Sequence, residues 1–144
     1  MFRNPPDEEI AQLLSEVRTI AIVGWSVKPA RPSHRVARFL VSRGYRVFPV
    51  NPGYAGRRFD DVGAVYAALE DIGGPIDMVD IFRRPDEAGA AVDDAIRIGA
   101  RAVWMQLGVV DEAAAERARA AGLRVVMDRC PAIEMPRLAL AGPA

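Results

Sequence analysis

Two cationic side chains lie within one short loop whose composition suits the binding of phosphate groups. The loop, Gly24-Trp25-Ser26-Val27-Lys28-Pro29-Ala30-Arg31-Pro32-Ser33, follows an apolar run and precedes a stretch with helical periodicity. Lys28 and Arg31 supply positive charge, two prolines stiffen the turn, and free backbone N–H groups at a helix N-terminus attract anions. Because charge-assisted contacts are strong, the loop suits a ligand with several phosphates. The alternative is a solvated loop with surface cations.

The end of the second predicted strand argues against one class of dinucleotide. A site for NAD carries an acid there, which binds the ribose hydroxyls. This chain has Asn51 and Pro52 instead, and its first loop has only Gly24 of the G-x-G-x-x-G pattern. Arg57 and Arg58 follow, and an arginine here would accept an extra ribose phosphate, as in NADP or coenzyme A. Surface positions for both arginines are the alternative.

Two further predicted strands end in residues that suit an extended ligand. Phe82 and Arg83 follow the third strand, where an aromatic ring and a guanidinium can clasp an adenine or a phosphate. A core position for Phe82 is the alternative. Gln106, Leu107 and Gly108 follow the fourth strand, where Gln106 and the small Gly108 leave room for a slim polar chain such as pantetheine.

Three other polar or reactive side chains are interpreted as structural. Asp80 stands inside an apolar strand, and we expect it to bond loop backbone because burying it unpaired is costly. Cys130 is expected to be a shielded thiol near the site, with a disulfide to the ligand's own thiol as the alternative. His34 is expected at a helix start without metal partners. Because no catalytic motif accompanies them, the chain is predicted to bind its ligand rather than convert it.

Five apolar runs alternate with helical periodicity and position these residues. The strands are predicted at residues 19–24, 45–50, 78–82, 102–106 and 124–127. Ser33 is expected to cap the helix after the first loop. Strands separated by helices pair in parallel through right-handed crossovers. The sequence therefore predicts an α/β, Rossmann-like three-layer domain with a parallel five-stranded sheet in the order 3-2-1-4-5, and a ligand at the switch between strands 1 and 4.

Length and composition favour one domain over residues 1–144, with a core at 19–134, an N-terminal helix within 1–18 and a flexible tail at 139–144. Nineteen basic residues balance nineteen acidic ones, which favours neither nucleic acid nor an anionic membrane as a partner. With no signal-like or membrane-spanning run, a cytoplasmic location is expected. Alanine-rich helices and an exposed N-terminal helix make a homodimer the expected assembly if the chain self-associates.

Five stretches of the chain resemble the YccU-like coenzyme A-binding proteins, which are related to the nucleotide-binding domain of the succinyl-CoA synthetase α-subunit. The stretches are IAIVGWSVKPARPSHRVARFL, GYRVFPVNP, DMVDIFRRP, GARAVWMQLGV and AAGLRVVMDRCPAIE. They cover roughly residues 19–134, in matching order and spacing. The chain departs from the family's last motif, because Glu134 is followed by Met135 and Pro136 where a histidine and a basic residue are common.

The resemblance implies a Rossmann-like fold that binds coenzyme A. Carried over by motif position, the first loop would hold the diphosphate, the ends of strands 2 and 3 would flank and close over the adenosine, and the end of strand 4 would border the pantetheine. The residues are, in that order, Gly24, Trp25, Ser26, Lys28, Arg31, Pro32 and Ser33; Asn51 and Pro52; Phe82 and Arg83; and Gln106, Leu107 and Gly108.

The leading hypothesis is therefore non-catalytic binding of coenzyme A or an acyl-CoA. An NADP-binding oxidoreductase or sensor is the second, and it would use Arg57 or Arg58 on the 2′-phosphate. The third is a CoA-binding subunit of a separately encoded acyl-CoA synthetase, because in the related synthetases the phosphorylated histidine resides in a further domain.

Overall fold

The computed structural model describes residues 1–144 as seven strands and five α-helices. The strands are β1 (Thr19–Val23), β2 (Arg46–Val50), β3 (Arg58–Phe59), β4 (Gly63–Ala64), β5 (Met78–Ile81), β6 (Ala102–Met105) and β7 (Arg124–Met127). The helices are α1 (Asp7–Glu16), α2 (Pro32–Ser42), α3 (Pro85–Arg97), α4 (Glu112–Ala120) and α5 (Pro131–Arg137). Two short 3₁₀ turns, Pro52–Tyr54 and Leu69–Ile72, lie between β2 and β5.

The central sheet is parallel and five-stranded, as predicted, but its strand order is β2-β1-β5-β6-β7. The predicted order 3-2-1-4-5 is wrong, because β5, the third predicted strand, pairs directly with β1 instead of β2. The residue that explains the error is Pro49 in β2, which has no N–H to give a second neighbour. A strand with this proline belongs at a sheet edge, and the chain therefore returns across β1 to place β5 on its other side.

Apolar side chains cover both faces of the sheet and give the predicted three layers. On one face, Val79, Ile81, Val103 and Met105 pack with α3 and α4. On the other face, the buried partners come from α1, α2 and α5, and from Ile20, Ile22, Met78 and Trp104. Parallel strands covered on both faces carry continuous apolar runs, which is why their sequences lack strict alternation.

The strand order moves the switch point to the carboxyl ends of β1 and β5. The connection after β1 leads to β2 on one side, and the connection after β5 leads to β6 on the other side. Gly24 follows β1 with a φ of +85°, and a Cβ at this position would overlap the carbonyl oxygen of Phe82. Only glycine allows so close an approach with this backbone conformation. The two loops that follow β1 and β5 therefore meet directly at the edge where ligands bind in open α/β sheets.

The C-terminal segment, predicted as a flexible tail at residues 139–144, is held against α1 and α2. The Ala144 N–H donates to the Ser15 carbonyl at 2.8 Å, and Arg43 Nη1 donates to the Leu140 carbonyl at 2.9 Å. These contacts anchor the segment because they use backbone groups that a frayed end would leave to water. No helix of the structure combines the length and hydropathy that crossing a bilayer requires.

Candidate functional site

Two cavities open at the carboxyl edge of the sheet, one on each side of the junction between β1 and β5. The α2 cavity, of about 710 Å³, lies beside the N-terminus of α2, and the α3 cavity, of about 490 Å³, lies beside α3. Gly24, Phe82, Arg83 and Arg84 line both. The two cavities are therefore neighbours that share a wall.

Most of the residues predicted for the site line one of these cavities. Those in the α2 cavity are Gly24, Ser26, Lys28, Arg31, Pro32, Ser33, Phe82, Arg83, Gln106, Leu107 and Gly108. Asn51 and Pro52 line the α3 cavity. Trp25 lines neither: its side chain is fully buried and its ring stacks on His34 at a centroid distance of 5.2 Å. Trp25 therefore supports the loop from below.

The N-terminus of α2 differs from the prediction in which residue caps it. Arg31 is the N-cap, with Pro32 in the first helical turn, so Ser33 already lies inside the helix. Proline is favoured there because its φ suits the helix and its missing N–H would have no partner. The Ser33 hydroxyl instead accepts a hydrogen bond from the Ser26 N–H at 2.9 Å. Ser33 thus closes the loop on itself rather than capping the helix.

The positive charge around the α2 cavity is not neutralised by acids. Its lining includes the cations Lys28, Arg31, Arg35, Arg83 and Arg84 and no aspartate or glutamate. Arg83 and Arg84 pair with acids of α3, but Lys28, Arg31 and Arg35 form no salt bridge. The first turn of α2 contains no acid either, so the helix dipole adds to the positive field. The cavity is therefore electrostatically suited to a polyanion.

His34 ties the cationic loop to the β3–β4 hairpin. Its Nδ1 lies 2.8 Å from the Ser26 carbonyl oxygen, and its Nε2 lies 2.7 Å from a carboxylate oxygen of Asp61. Both ring nitrogens face oxygen acceptors, so the imidazole is engaged in holding the loop and is not free to serve as a base. No three His, Cys, Asp or Glu side chains cluster closely enough to hold a metal ion.

Asn51 makes a second tie between the loop and the sheet. Its Nδ2 donates to the Trp25 carbonyl at 2.7 Å, and its Oδ1 accepts from the Gly53 N–H at 2.9 Å. Because both ends of the amide are used within the protein, Asn51 orders the rim of the α3 cavity. The shape of the loop is thus set by neighbours from α2, β2 and the hairpin before any ligand arrives.

The far end of the α2 cavity is formed after β6 and β7. Gln106 is 5% exposed, and its Oε1 has no hydrogen-bond partner. Cys130 lines the same end and is nearly buried, in agreement with the predicted shielded thiol. Leu107 and Ile133 also line it, yet they are 54% and 53% exposed. This end is therefore more apolar than the loop end and its outer wall is open.

The α3 cavity carries mixed charge. Arg83 Nη2 lies 2.7 Å from Glu87 Oε2, and Glu87 and Asp94 both line the cavity. The rest of the lining is largely small or apolar, including Ala68 and Leu69. A flat, mostly apolar group with a few polar edges fits this lining better than a bare phosphate does.

Asp80 behaves differently from the expectation. Neither carboxylate oxygen has a hydrogen-bond partner, and burial raises the pKa of this carboxyl well above its usual range. The predicted bond to loop backbone is wrong because Asp80 pairs in register with Ile22 and Trp104, inside the central ladder, where backbone groups are already used. Burial thus disfavours the charged form of this carboxyl.

Several lining residues were missed from the sequence. Arg35 and Val36 lie in the first turns of α2, and Ile133 lies in α5. The signal for Arg35 is its position one turn after the N-cap, where an exposed side chain can reach the helix end. By contrast, Arg57 and Arg58, which the NADP hypothesis uses, line neither cavity; Arg57 lies over the rings of Tyr54 and Phe59.

Comparisons with known proteins identify the family and support the fold. The family model described as a CoA binding domain matches residues 18–136. The uncharacterized protein YneT of Bacillus subtilis (strain 168) is 35% identical over 131 residues, which is 90% of this chain and 93% of that protein. A solved structure, a hypothetical protein from Pyrococcus horikoshii OT3, is 35% identical with a TM-score of 0.88, covering 96% of this chain and 98% of that one.

A larger enzyme contains a domain of similar fold. This is the dinucleotide-forming acetyl-coenzyme A synthetase 1 of Ca. Korarchaeum cryptofilum, with a TM-score of 0.68 and 21% identity. The match covers 81% of this chain and 27% of the synthetase. At this identity the similarity concerns the fold alone.

Proposed function

This chain belongs to the CoA binding domain family, and from that premise we propose that the two cavities together hold one molecule of coenzyme A or acyl-CoA without converting it. The observation that carries the proposal is the acid-free lining of the α2 cavity, where three cations without carboxylate partners surround a helix N-terminus. Coenzyme A supplies the matching charge, because it carries a diphosphate and a ribose phosphate.

The sheet order suggests how the ligand lies. The adenosine occupies the α3 cavity between Pro52 and Phe82, at the ends of β2 and β5. The diphosphate rests on the loop after β1, against Lys28 and Arg31, and Arg83 reaches toward it from the shared wall. The pantetheine then follows the edge toward Gln106. In this placement, each part of the ligand lies against side chains whose charge or polarity suits it.

The proposal assigns binding rather than catalysis for a geometric reason. An acyl or phosphoryl transfer needs a nucleophile or a base within hydrogen-bond reach of the reacting atom. The imidazole of His34 is held by Ser26 and Asp61, and no carboxylate lines the α2 cavity. Cys130 has no neighbouring base at the cavity wall. The site is therefore suited to holding a thioester or a thiol unchanged.

Ligand competition tests the proposal directly. Binding of CoA, 3′-dephospho-CoA, NADP and NAD is measured by titration calorimetry and by thermal shift, at matched ionic strength. CoA is expected to bind and to raise the stability of the fold, by about 2.7 kcal/mol at a hundred times its Kd. Its affinity is expected to fall as salt increases, because exposed charges are screened.

Two outcomes would overturn the proposal. Stabilisation by NADP but not by CoA would favour the oxidoreductase or sensor, although Arg57 and Arg58 lie outside both cavities. Absence of binding by every ligand in the series would remove the nucleotide site altogether. Mass spectrometry of the gently purified protein supplies an independent readout, since a tightly held CoA or acyl-CoA is retained.

A further inference from the structure

We propose that the far end of the α2 cavity is a binding site for the acyl group of a thioester, so that the ligand class is acyl-CoA rather than free CoA. This inference rests on the proposed function, because it needs the phosphates to lie on the cationic loop. It goes further in assigning a role to the exposed apolar surface of Leu107 and Ile133, most of which the thiol end of CoA alone would leave uncovered.

The length of the sheet edge supports this placement. From β1 to β7 there are three strand spacings, which is about 14 Å. The pantetheine arm has roughly as many chain atoms as four peptide residues, which reach about 14 Å when extended. A ligand anchored by its diphosphate after β1 therefore brings its sulfur to the residues that follow β6 and β7, which are those of the far end.

The chemistry changes along this path from cationic to apolar. Lys28 and Arg31 stand at the loop end of the cavity, whereas Leu107, Val109, Cys130 and Ile133 stand at the far end. Gln106, nearly buried and with its Oε1 unpartnered, lies between the two. These three surfaces match a ligand that carries a diphosphate, then an amide-containing arm, then an apolar group. A medium-chain acyl-CoA has its groups in this order.

The exposure of the outer wall distinguishes an acyl-CoA from free CoA. Leu107 and Ile133 are each more than half exposed, while Val109 and Cys130, which line the same cavity, are buried. A thiol ends the free CoA molecule and would leave both large side chains in water. Methylenes of an acyl chain would cover them, and each buried methylene strengthens binding. Leu107 and Ile133 thus line the same cavity as the cations proposed to bind phosphate, and they are complementary to the acyl end of the ligand.

The test compares CoA, acetyl-CoA and octanoyl-CoA by titration calorimetry on the full chain. Octanoyl-CoA is expected to bind at least about tenfold more tightly than CoA, with acetyl-CoA between them. In the double variant Leu107→Ser/Ile133→Ser the affinity for octanoyl-CoA is expected to fall to about that for CoA, so that the octanoyl preference disappears. Val41→Ser is the matched control, because Val41 is an exposed apolar residue of α2 outside both cavities.

The experiment distinguishes failure of the acyl site from failure of the proposed function. If CoA binds but octanoyl-CoA binds no better, the acyl site is refuted and the proposed function stands. The same holds if the preference survives in the double variant. If no CoA species binds, both proposals fall. Sedimentation of the wild type and the double variant completes the test: a dimer that the double variant converts to monomer would mean that a second copy of the chain covers this wall, which refutes the acyl site.

Discussion

The N-termini of α2 and α3 are built alike and charged differently. Each follows a central strand at the carboxyl edge of the sheet, has an arginine N-cap in extended conformation, and continues with a proline. The N-caps are Arg31, with φ −74° and ψ 143°, and Arg84, with φ −60° and ψ 152°. The backbone therefore offers the same free N–H groups at both places.

The residues in the first turn of each helix determine whether these N–H groups are compensated by acids of the chain itself. Asp86 and Glu87 stand in the first turn of α3 and take up its positive end, and they also pair with Arg83 and Arg84. The first turn of α2 has no acid, and the cations Lys28, Arg31 and Arg35 beside it form no salt bridge. Under the proposed function, the contrast means that a helix start is available to an external anion where its first turn contains no acid.

The largest effect is expected from removing the two N-cap arginines separately. Arg31→Ala should weaken CoA binding by about 1.5–3 kcal/mol, because it deletes a charge-assisted contact to phosphate. Arg84→Ala should change the affinity by less than about twofold, because Arg84 is highly exposed and already engaged by Asp86 and Glu87. Titration calorimetry at low salt measures both.

Equal losses of CoA affinity in Arg31→Ala and Arg84→Ala would contradict the comparison. They would show that pairing an arginine with acids of its own helix does not change its contribution to CoA binding. The salt dependence gives a second check. The affinity of the Arg31→Ala protein should depend less on salt than that of the wild type, because fewer charges take part in binding.

A smaller effect is expected from Asp80, whose ionisation would weaken the contrast by adding a buried anion two residues before Phe82, which lines both cavities. Burial raises the pKa of Asp80 well above the usual 3.8. The unfolded chain loses this proton near its usual pKa while the folded chain keeps it, so stability falls as pH rises above about 4, until the folded pKa is passed. Asp80→Asn removes this dependence. Its stability relative to wild type should therefore grow by up to about 1.4 kcal/mol per pH unit.

Urea unfolding at a series of pH values from mildly acidic to neutral measures this difference. Asp60→Asn is the control for the change in net charge, because Asp60 is exposed and lies outside both cavities. Parallel stability profiles for the wild type and Asp80→Asn would show that the carboxyl does not retain its proton in the fold.

The smallest effect is expected from making α3 resemble α2. Glu87→Gln removes an acid from the first turn and the partner of Arg83, at 2.7 Å. The free energy of unfolding should fall by about 0.3–1 kcal/mol, because the helix dipole loses a favourable charge. CoA affinity should rise a few-fold, because Arg83 is released toward the ligand and an anion leaves the α3 cavity.

Glu112→Gln supplies the matched control, since Glu112 stands in the first turn of α4 away from both cavities. It should lower stability by a similar amount without changing CoA affinity. A loss of affinity in Glu87→Gln would mean that the Arg83–Glu87 pair itself positions the ligand, and the contrast between the two helices would need revision.

Much of the site followed from residues read in order along the chain. A cationic, proline-containing loop after an apolar run, Asn51 in place of an acid, and small or polar residues after the fourth strand all predicted side chains that do line the cavities. These side chains share one edge because parallel strands deliver their carboxyl ends there, whatever their order in the sheet. Their role in binding stays a prediction. Trp25 was the exception, because the direction of a loop side chain depends on what packs under it.

The strand order depends on features that lie far apart in the sequence, namely Pro49 in β2 and the connection between β2 and β5. The alternation of strands and helices suggested the commoner order, whereas Pro49 is a residue that fits an edge strand. The connection from β2 to β5 contains a short hairpin and 3₁₀ turns rather than an α-helix, and so it lacks the usual signature of a crossover. Asp80 was misread for a related reason, since its partners depend on which strands flank β5.

By itself, the sequence determined the elements of this protein and the charge that each carries: apolar runs become buried strands, prolines and glycines mark where helices begin and loops turn, and the first turn of α2 lacks acids. The tertiary structure alone decided which elements are neighbours. It placed β5 against β1, closed Ser33 and His34 onto the loop, and brought Leu107 and Ile133 to the far end of the cavity that begins at Lys28. The physical reason is that local propensities act within a few residues, whereas strand pairing and side-chain packing join residues that are far apart in the chain.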